Sequence, residues 1–373
     1  MHILVAPDSF KESLSSLEAG ETIKKAILDE IPSATVEVCP MADGGEGILD
    51  TLVYATNGKF VDVNVRGPLG APIDTKYGVL GDRETAVIEV AKIAGLMQVP
   101  RNERNPMNTT TYGIGEAIAH ALERGFRKFI IGLGGSATND GGLGMLQALG
   151  IAFYDRNGND VSPYGSSLFE VEKVDVSRLH PELKHCRFFI ASDVMNPLCG
   201  QEGATFVFAE QKGAMREQLE SMDRAMANYA NLLEQAFGQA YQHEKGAGAA
   251  GGLGFALMLL GGKLRSGAEL VAEKIELKRK LAKAEVVITG EGKSDGQTLY
   301  GKVPVYIAKM AKDYHVKAIL ISGSLGKGYE ALYEYFDACF SIVNKPMPLE
   351  EAMAFAKTLL YQQTRNVVRL LKI

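Results

Sequence analysis

The chain has 373 residues, 46% hydrophobic and 23% charged, with 41 glycines and no tryptophan, a globular composition with room for two domain cores. A formal net charge of -5 offers no footprint for nucleic acid or an anionic membrane surface. Four scattered cysteines without a CxxC pair and six histidines without ligand spacing point to free thiols in a reducing compartment and away from zinc.

The opening residues, MHILVAPDS, lack the basic flank and apolar length of a signal peptide, and LGFALMLL (Leu253 to Leu260) is too short to span a bilayer. A cytoplasmic protein is expected. His2 to Ala6 reads as a buried parallel strand, and Leu14 to Ile31 as a helix with Leu17, Ile23, Ile27, Leu28 and Ile31 at helical spacing. Ala34 to Cys39 is a second strand, followed by the acidic glycine loop ADGGEG (Ala42 to Gly47) and a helix to about Thr56. This βα pattern puts polar loops directly after two strands, where open α/β sheets bind ligands.

Phe60 to Val65, Lys76 to Leu80 and Ala86 to Val90 are strands joined by turns, as in an antiparallel meander. A helix over Thr111 to Glu123 precedes the strand and glycine loop IIGLGGSATNDGGLGML (Ile130 to Leu146) and a helix to Leu149. Ile151 to Tyr154 runs into the hairpin signal Asn157-Gly158. Cys186 to Ala191 is a strand ending in SDVMNPLC (Ser192 to Cys199). Met215 to Phe237 is an amphipathic helix with Leu219, Met222, Met226, Tyr229 and Leu233 on one face. GAGAAGGLG (Gly246 to Gly254) opens a further helix to Leu260. From Lys283 alternation returns: strand Ala284 to Thr289, loop GEGKSDGQ (Gly290 to Gln297), helix Val303 to Asp313, strand Lys317 to Ile321, strand Ala338 to Ile342, and a helix from Leu349 to the end. The expected architecture is one five-stranded parallel sheet made of 1–66 and 284–373, interrupted by a mixed α/β domain over 67–283.

Three familiar templates fit poorly. Gly292-Lys293-Ser294 ends like the phosphate loop GxxxxGK(S/T), but Val287 stands where its first glycine must open the loop. Gly132, Gly134 and Ala137 match G-x-G-x-x-(G/A), yet the next strand enters a hairpin rather than a crossover helix, which argues against a nicotinamide-dependent hydroxy-acid dehydrogenase. No G-x-S-x-G elbow occurs. What remains is a set of carboxylates at element ends: Asp8, Asp43, Glu46, Asp140, Asp193, Glu269, Glu291 and Asp295, with Lys11, Lys293 and Lys302 among them. Each alone is as readily a helix N-cap. Several together suit Mg²⁺ and phosphates, as phosphoryl transfer requires.

APDSFKES (Ala6 to Ser13), ADGGEG, GGSATNDGG (Gly134 to Gly142), SDVMNPLCG, GAGAAGGLG, SGAE (Ser266 to Glu269) and TGEGKSDGQTLYGKVP (Thr289 to Pro304) follow one another in the order of the signature blocks of the bacterial class I glycerate kinase family, which the chain resembles over nearly its whole length. In the TGEG block, Lys293, Ser294 and Gly296 depart from the family's usual residues, while Asp295 is kept. The resemblance implies a flavodoxin-like domain interrupted by a restriction-endonuclease-like domain, an active site in the cleft between them, and ATP- and Mg²⁺-dependent phosphorylation of D-glycerate. On this reading Asp193 is the general base and Lys11 a catalytic cation. Asp8, Ser9, Asp43, Ser136, Thr138, Asn139 and Asn196 bind substrate. Gly248, Gly251, Gly252, Glu269, Gly290 and Lys293 bind nucleotide, and Glu291 and Asp295 hold the metal. A non-enzymatic sugar-acid binding protein is the other class of reading, and it needs no such set of acids.

Overall fold

A computed structural model describes residues 1–372. Among them the chain divides into two compact units, residues 1–43 with 268–372 and residues 44–267. In chain order the strands of the two main sheets begin with β1 (His2–Val5), β2 (Thr35–Val38), β3 (Lys59–Arg66), β4 (Pro72–Val79), β5 (Thr85–Glu89) and β6 (Lys128–Gly132). They continue with β7 (Arg187–Ala191), β8 (Lys263–Arg265), β9 (Val286–Thr289), β10 (Lys317–Ser322) and β11 (Ala338–Ser341).

The first unit is a five-stranded sheet in the order β11-β10-β9-β1-β2, parallel throughout. Counted within the unit this is 2-1-3-4-5, an order that reverses between β1 and β9 and leaves a ligand crevice outside their carboxyl ends. Its central strands are apolar on both faces, as a sheet covered by helices requires, with Ile3, Leu4, Val287 and Ile288 fully buried. Helix Ser16–Glu30 starts with a capping box: Glu18 N–H donates to Ser15 Oγ, and the Glu18 carboxylate accepts from Ser15 N–H. The C-terminal helix Ala356–Leu371 meets the first helix through a Glu30 carboxylate bridged by Arg365, Arg369 and Lys372.

The second unit is a six-stranded mixed sheet, β8-β7-β6-β5-β4-β3. β3, β4 and β5 form the expected antiparallel meander, and β5 through β8 run parallel. Helix Arg216–Phe237 buries the stripe read from its spacing, Leu219, Met222, Met226, Tyr229 and Leu233. Tyr154 bridges Asp160 across the Asn157-Gly158 turn, where Gly158 takes φ +83°.

Three differences from the sequence reading have physical causes. The changeover between units falls at 43/44 and 267/268, not 66/67 and 283/284; at the first, β3 pairs along all eight residues with β4 and so joins the second sheet. Lys263–Arg265 is an edge strand on β7, too short for its alternation to register. The last helix is two, Leu349–Ala354 and Ala356–Leu371, parted at Phe355. All four cysteines are free thiols. Among the described residues no helix is long and apolar enough to cross a membrane.

Candidate active site

In the first unit, the loops leaving β1 and β9 meet at the reversal of strand order. Asp8 N–H donates to Gly290 O at 2.8 Å, and a Cβ on Gly290 would lie 1.9 Å from Ile321 O, so only glycine lets that loop leave the sheet so tightly. Asp8 is 6% exposed and its Oδ1 accepts from the N–H of half-buried Ser9 at 2.7 Å. Burial, then the neighbouring charge of Asp43, pushes the Asp8 carboxyl up to about 8, and Glu291 adds to the rise. Lys11 opposes that rise and reaches Asp43 Oδ2 at 3.4 Å from a largely exposed position.

Glu291, buried, is the hub of a second set of contacts. Its Oε1 accepts from Ser294 Oγ at 3.0 Å and Thr298 Oγ1 at 2.8 Å, and its Oε2 faces Lys302 Nζ at 3.3 Å. Ser294 also shares a 2.7 Å hydrogen bond with Ser322 at the end of β10. Asp295 caps the short turn Gly296–Tyr300: its Oδ1 accepts from Gln297 N–H, and Lys293 Nζ lies 3.1 Å from Oδ2. The cap and then the lysine hold its carboxyl below the usual range. Glu269 is exposed in the first turn of helix Gly267–Lys274.

The second unit interlocks three of the loops singled out by sequence. Gly141 N–H donates to Gly251 O at 2.9 Å, and a Cβ on Gly251 (φ +69°) would lie 2.0 Å from Thr138 O. Gly252 packs on Gly141, and Gly248 donates its N–H to Asn196 O at 3.0 Å with Pro197 O where a Cβ would go. These glycines are therefore explained by backbone packing within the unit. Asn196 itself reaches Glu202 O at 2.7 Å, and Asp193 is exposed on the loop after β7.

Ser136, Thr138 and Asn139 are buried together after β6. Asn139 Nδ2 donates to Thr205 Oγ1 at 3.0 Å, while Thr138 Oγ1 and Asn139 Oδ1 have no hydrogen-bond partner among the described residues. Asp140 is wholly buried and accepts from Thr111 N–H, Thr111 Oγ1, Gly142 N–H and Gly144 N–H, which pins the loop to the helix that follows. Burial still raises its carboxyl against those four donors.

Two residues escape the sequence reading of site roles. Lys302 carries no distinct signal within TGEGKSDGQTLYGKVP, and its ion pair with Glu291 is visible only once β9 and the following helix are placed. Lys212, in the polar stretch AEQKGAMRE, carries no signal in sequence; it is buried, with Nζ on Ser136 Oγ at 2.9 Å and Thr138 O at 2.7 Å.

Residues 3–372 match the family model described as the glycerate kinase family. A glycerate kinase of Bacillus subtilis (strain 168) is 44% identical, covering 100% of this chain and 98% of its own length. A glycerate 2-kinase of Escherichia coli (strain K12) is 42% identical over the same shares. A solved chain from Salmonella typhimurium LT2, named there as a candidate glycerate kinase 2, superposes with a TM-score of 0.88 at 44% identity, covering 100% of this chain and 98% of that one. With a family match across nearly every residue and relatives of this similarity at full length, the chain belongs to the glycerate kinase family.

Proposed function

We propose that the protein transfers the γ-phosphoryl group of ATP to the 2-hydroxyl of D-glycerate, in the cytoplasm and in the breakdown of organic acids. In the same reading the first unit is flavodoxin-like and the second restriction-endonuclease-like. The observation that carries the proposal is Asp8: a buried carboxylate beside Asp43 at the crevice end of a parallel sheet, with its proton affinity raised towards neutrality. Such a group accepts a hydrogen bond from a small hydroxy-acid without the cost of a bare buried charge.

The roles divide as follows. Asp8, Ser9, Asp43, Ser136, Thr138, Asn139 and Asn196 bind D-glycerate. Lys11 offsets negative charge on the transferred group, and Asp193 accepts the proton of the attacking hydroxyl. Glu269, Gly290 and Lys293, with Gly248, Gly251 and Gly252, contact the nucleotide.

The donor set suits Mg²⁺ completed by phosphate oxygens. Among the described residues no three His, Cys, Asp or Glu side chains form a cage of their own, and Mg²⁺ commonly takes only one or two carboxylates beside waters and phosphates. The like charges of Asp43 and Glu291 that press on Asp8 mark a place where a cation is welcome. Glu291 and Asp295 would hold it. When bound, the ion neutralises phosphate charge as the γ-group departs. Lys302 and Lys293 meanwhile hold Glu291 and Asp295 in place through their ion pairs.

Product NMR after incubation with ATP, Mg²⁺ and D-glycerate tests the reading. 2-Phosphoglycerate is expected; 3-phosphoglycerate overturns the position, and no ADP release overturns the reaction.

A further inference from the structure

Lys212 ends the short turn Glu210–Lys212, and the next residue, Gly213, takes φ +99° where a Cβ would lie 2.0 Å from Arg104 O. The side chain is 4% exposed, an unusual place for a lysine. An ammonium carries three N–H donors, and the loop supplies two acceptors, Ser136 Oγ and Thr138 O. Immediately beside those acceptors in the chain are the two unpartnered polar atoms of the loop, Thr138 Oγ1 and Asn139 Oδ1, on residues 0% and 1% exposed. A buried oxygen left without a partner is destabilising, so two in succession mark a place built to receive polar atoms from elsewhere.

The alternative, that Lys212 simply neutralises Asp140, is weak on the same geometry. Asp140 already has four donors, none of them Lys212. The lysine instead grips the stretch that holds the two unpartnered oxygens. Burial drives its ammonium down to about 8, with Asp140 pulling the other way.

We propose that Lys212 is a positioning residue for the acceptor substrate: by holding Ser136 Oγ and Thr138 O it sets the turn so that the Thr138 hydroxyl and Asn139 amide oxygen engage the hydroxy-acid. This rests on the assignment of Ser136, Thr138 and Asn139 to glycerate. The two oxygens then read substrate hydroxyls, and Lys212 acts on affinity for the acceptor without touching the nucleotide.

The test is steady-state kinetics on full-length Lys212→Met, with Lys212→Gln, which keeps a shorter neutral donor, should the methionine variant fail to fold. The expected result is a rise of at least tenfold in KM for D-glycerate with KM for ATP within twofold of the parent. Unchanged KM for D-glycerate, or equal rises for both substrates, overturns the proposal. So does failure of both variants to fold, which makes the lysine a core element. Parent protein that releases no ADP with D-glycerate overturns the glycerate assignment itself, and the proposal with it, and is told apart from the other failures by needing no variant.

Discussion

Asp8 and Asp140 look alike in sequence and do opposite things in structure. Each follows a parallel strand in a polar loop, each is buried, and burial raises the carboxyl of both. Asp140 is surrounded by four donors from its own unit. Asp8 accepts one backbone N–H and is pressed by Asp43 and Glu291. The first arrangement spends a carboxylate on holding a loop. The second keeps one with unmet bonding capacity, which is what a ligand site requires. Hydrogen-bond supply, rather than burial, separates the two.

The largest effect is expected where neither pattern applies. Asp193 is exposed, and as the proposed base it should be replaceable without harm to folding; Asp193→Asn is expected to lower kcat by about 10³-fold, within the range of general-base contributions, with KM for D-glycerate changed by only a few-fold. Near-parental turnover in the ADP-release assay would move the proton to Asp8 and sharpen the contrast further. Next comes the scaffold. Asp140→Ala strips four buried donors of their acceptor and should cost about 3 kcal/mol, seen as a melting point lower by about 6–12 °C.

Asp8 gives the subtler signature. Its native value of about 8 lies above the unfolded carboxylate's, so the native state holds an extra proton between about pH 4 and 8 and stability falls as pH rises through that window. Asp8→Asn cannot ionise. It should match the parent near pH 4 and melt about 3 °C or more higher at pH 8, while KM for D-glycerate rises about tenfold. Parallel melting curves for parent and variant from pH 4 to 8 would break the comparison. The smallest effect is that of Lys11→Ala on stability, below about 1 kcal/mol by denaturant titration, because its ion pair with Asp43 stands in water.

Much of the fold was legible because the signals were local. The runs HILV and VVIT mark covered parallel strands, FVDVNV alternates as a half-buried strand does, and the stripe from Leu219 to Leu233 keeps helical spacing. Helix Val303–Asp313 is bounded as read, with Pro304 in its first turn. What escaped depends on partners distant in the chain. β3 belongs to the second sheet only because β4 pairs with it along its length. Lys212 is 74 residues from Thr138 in sequence and lies in a stretch as polar as any surface loop. The glycines at Gly248, Gly251 and Gly252 read in sequence as a phosphate loop, and only the contacts with Asn196, Pro197 and Thr138 show that they also pack backbone on backbone. The acids stood out as a set, but which of them were already hydrogen-bonded did not.

The seam between β1 and β9 has a consequence for biosynthesis. Thr289 Oγ1 donates to Ala6 O, 283 positions away in sequence, so the first strand waits for most of the chain before its inner neighbour exists. At ordinary elongation rates that wait is about 15 to 60 s. The stretch 44–267 is continuous and has a core of its own, so it is free to fold within that interval and to shorten the loop that the late seam must close. Until then the apolar β1, with Ile3, Leu4 and Val5, is an unpaired edge open to other chains. The ribosome and its chaperones, rather than the finished molecule, therefore face this protein's greatest aggregation hazard.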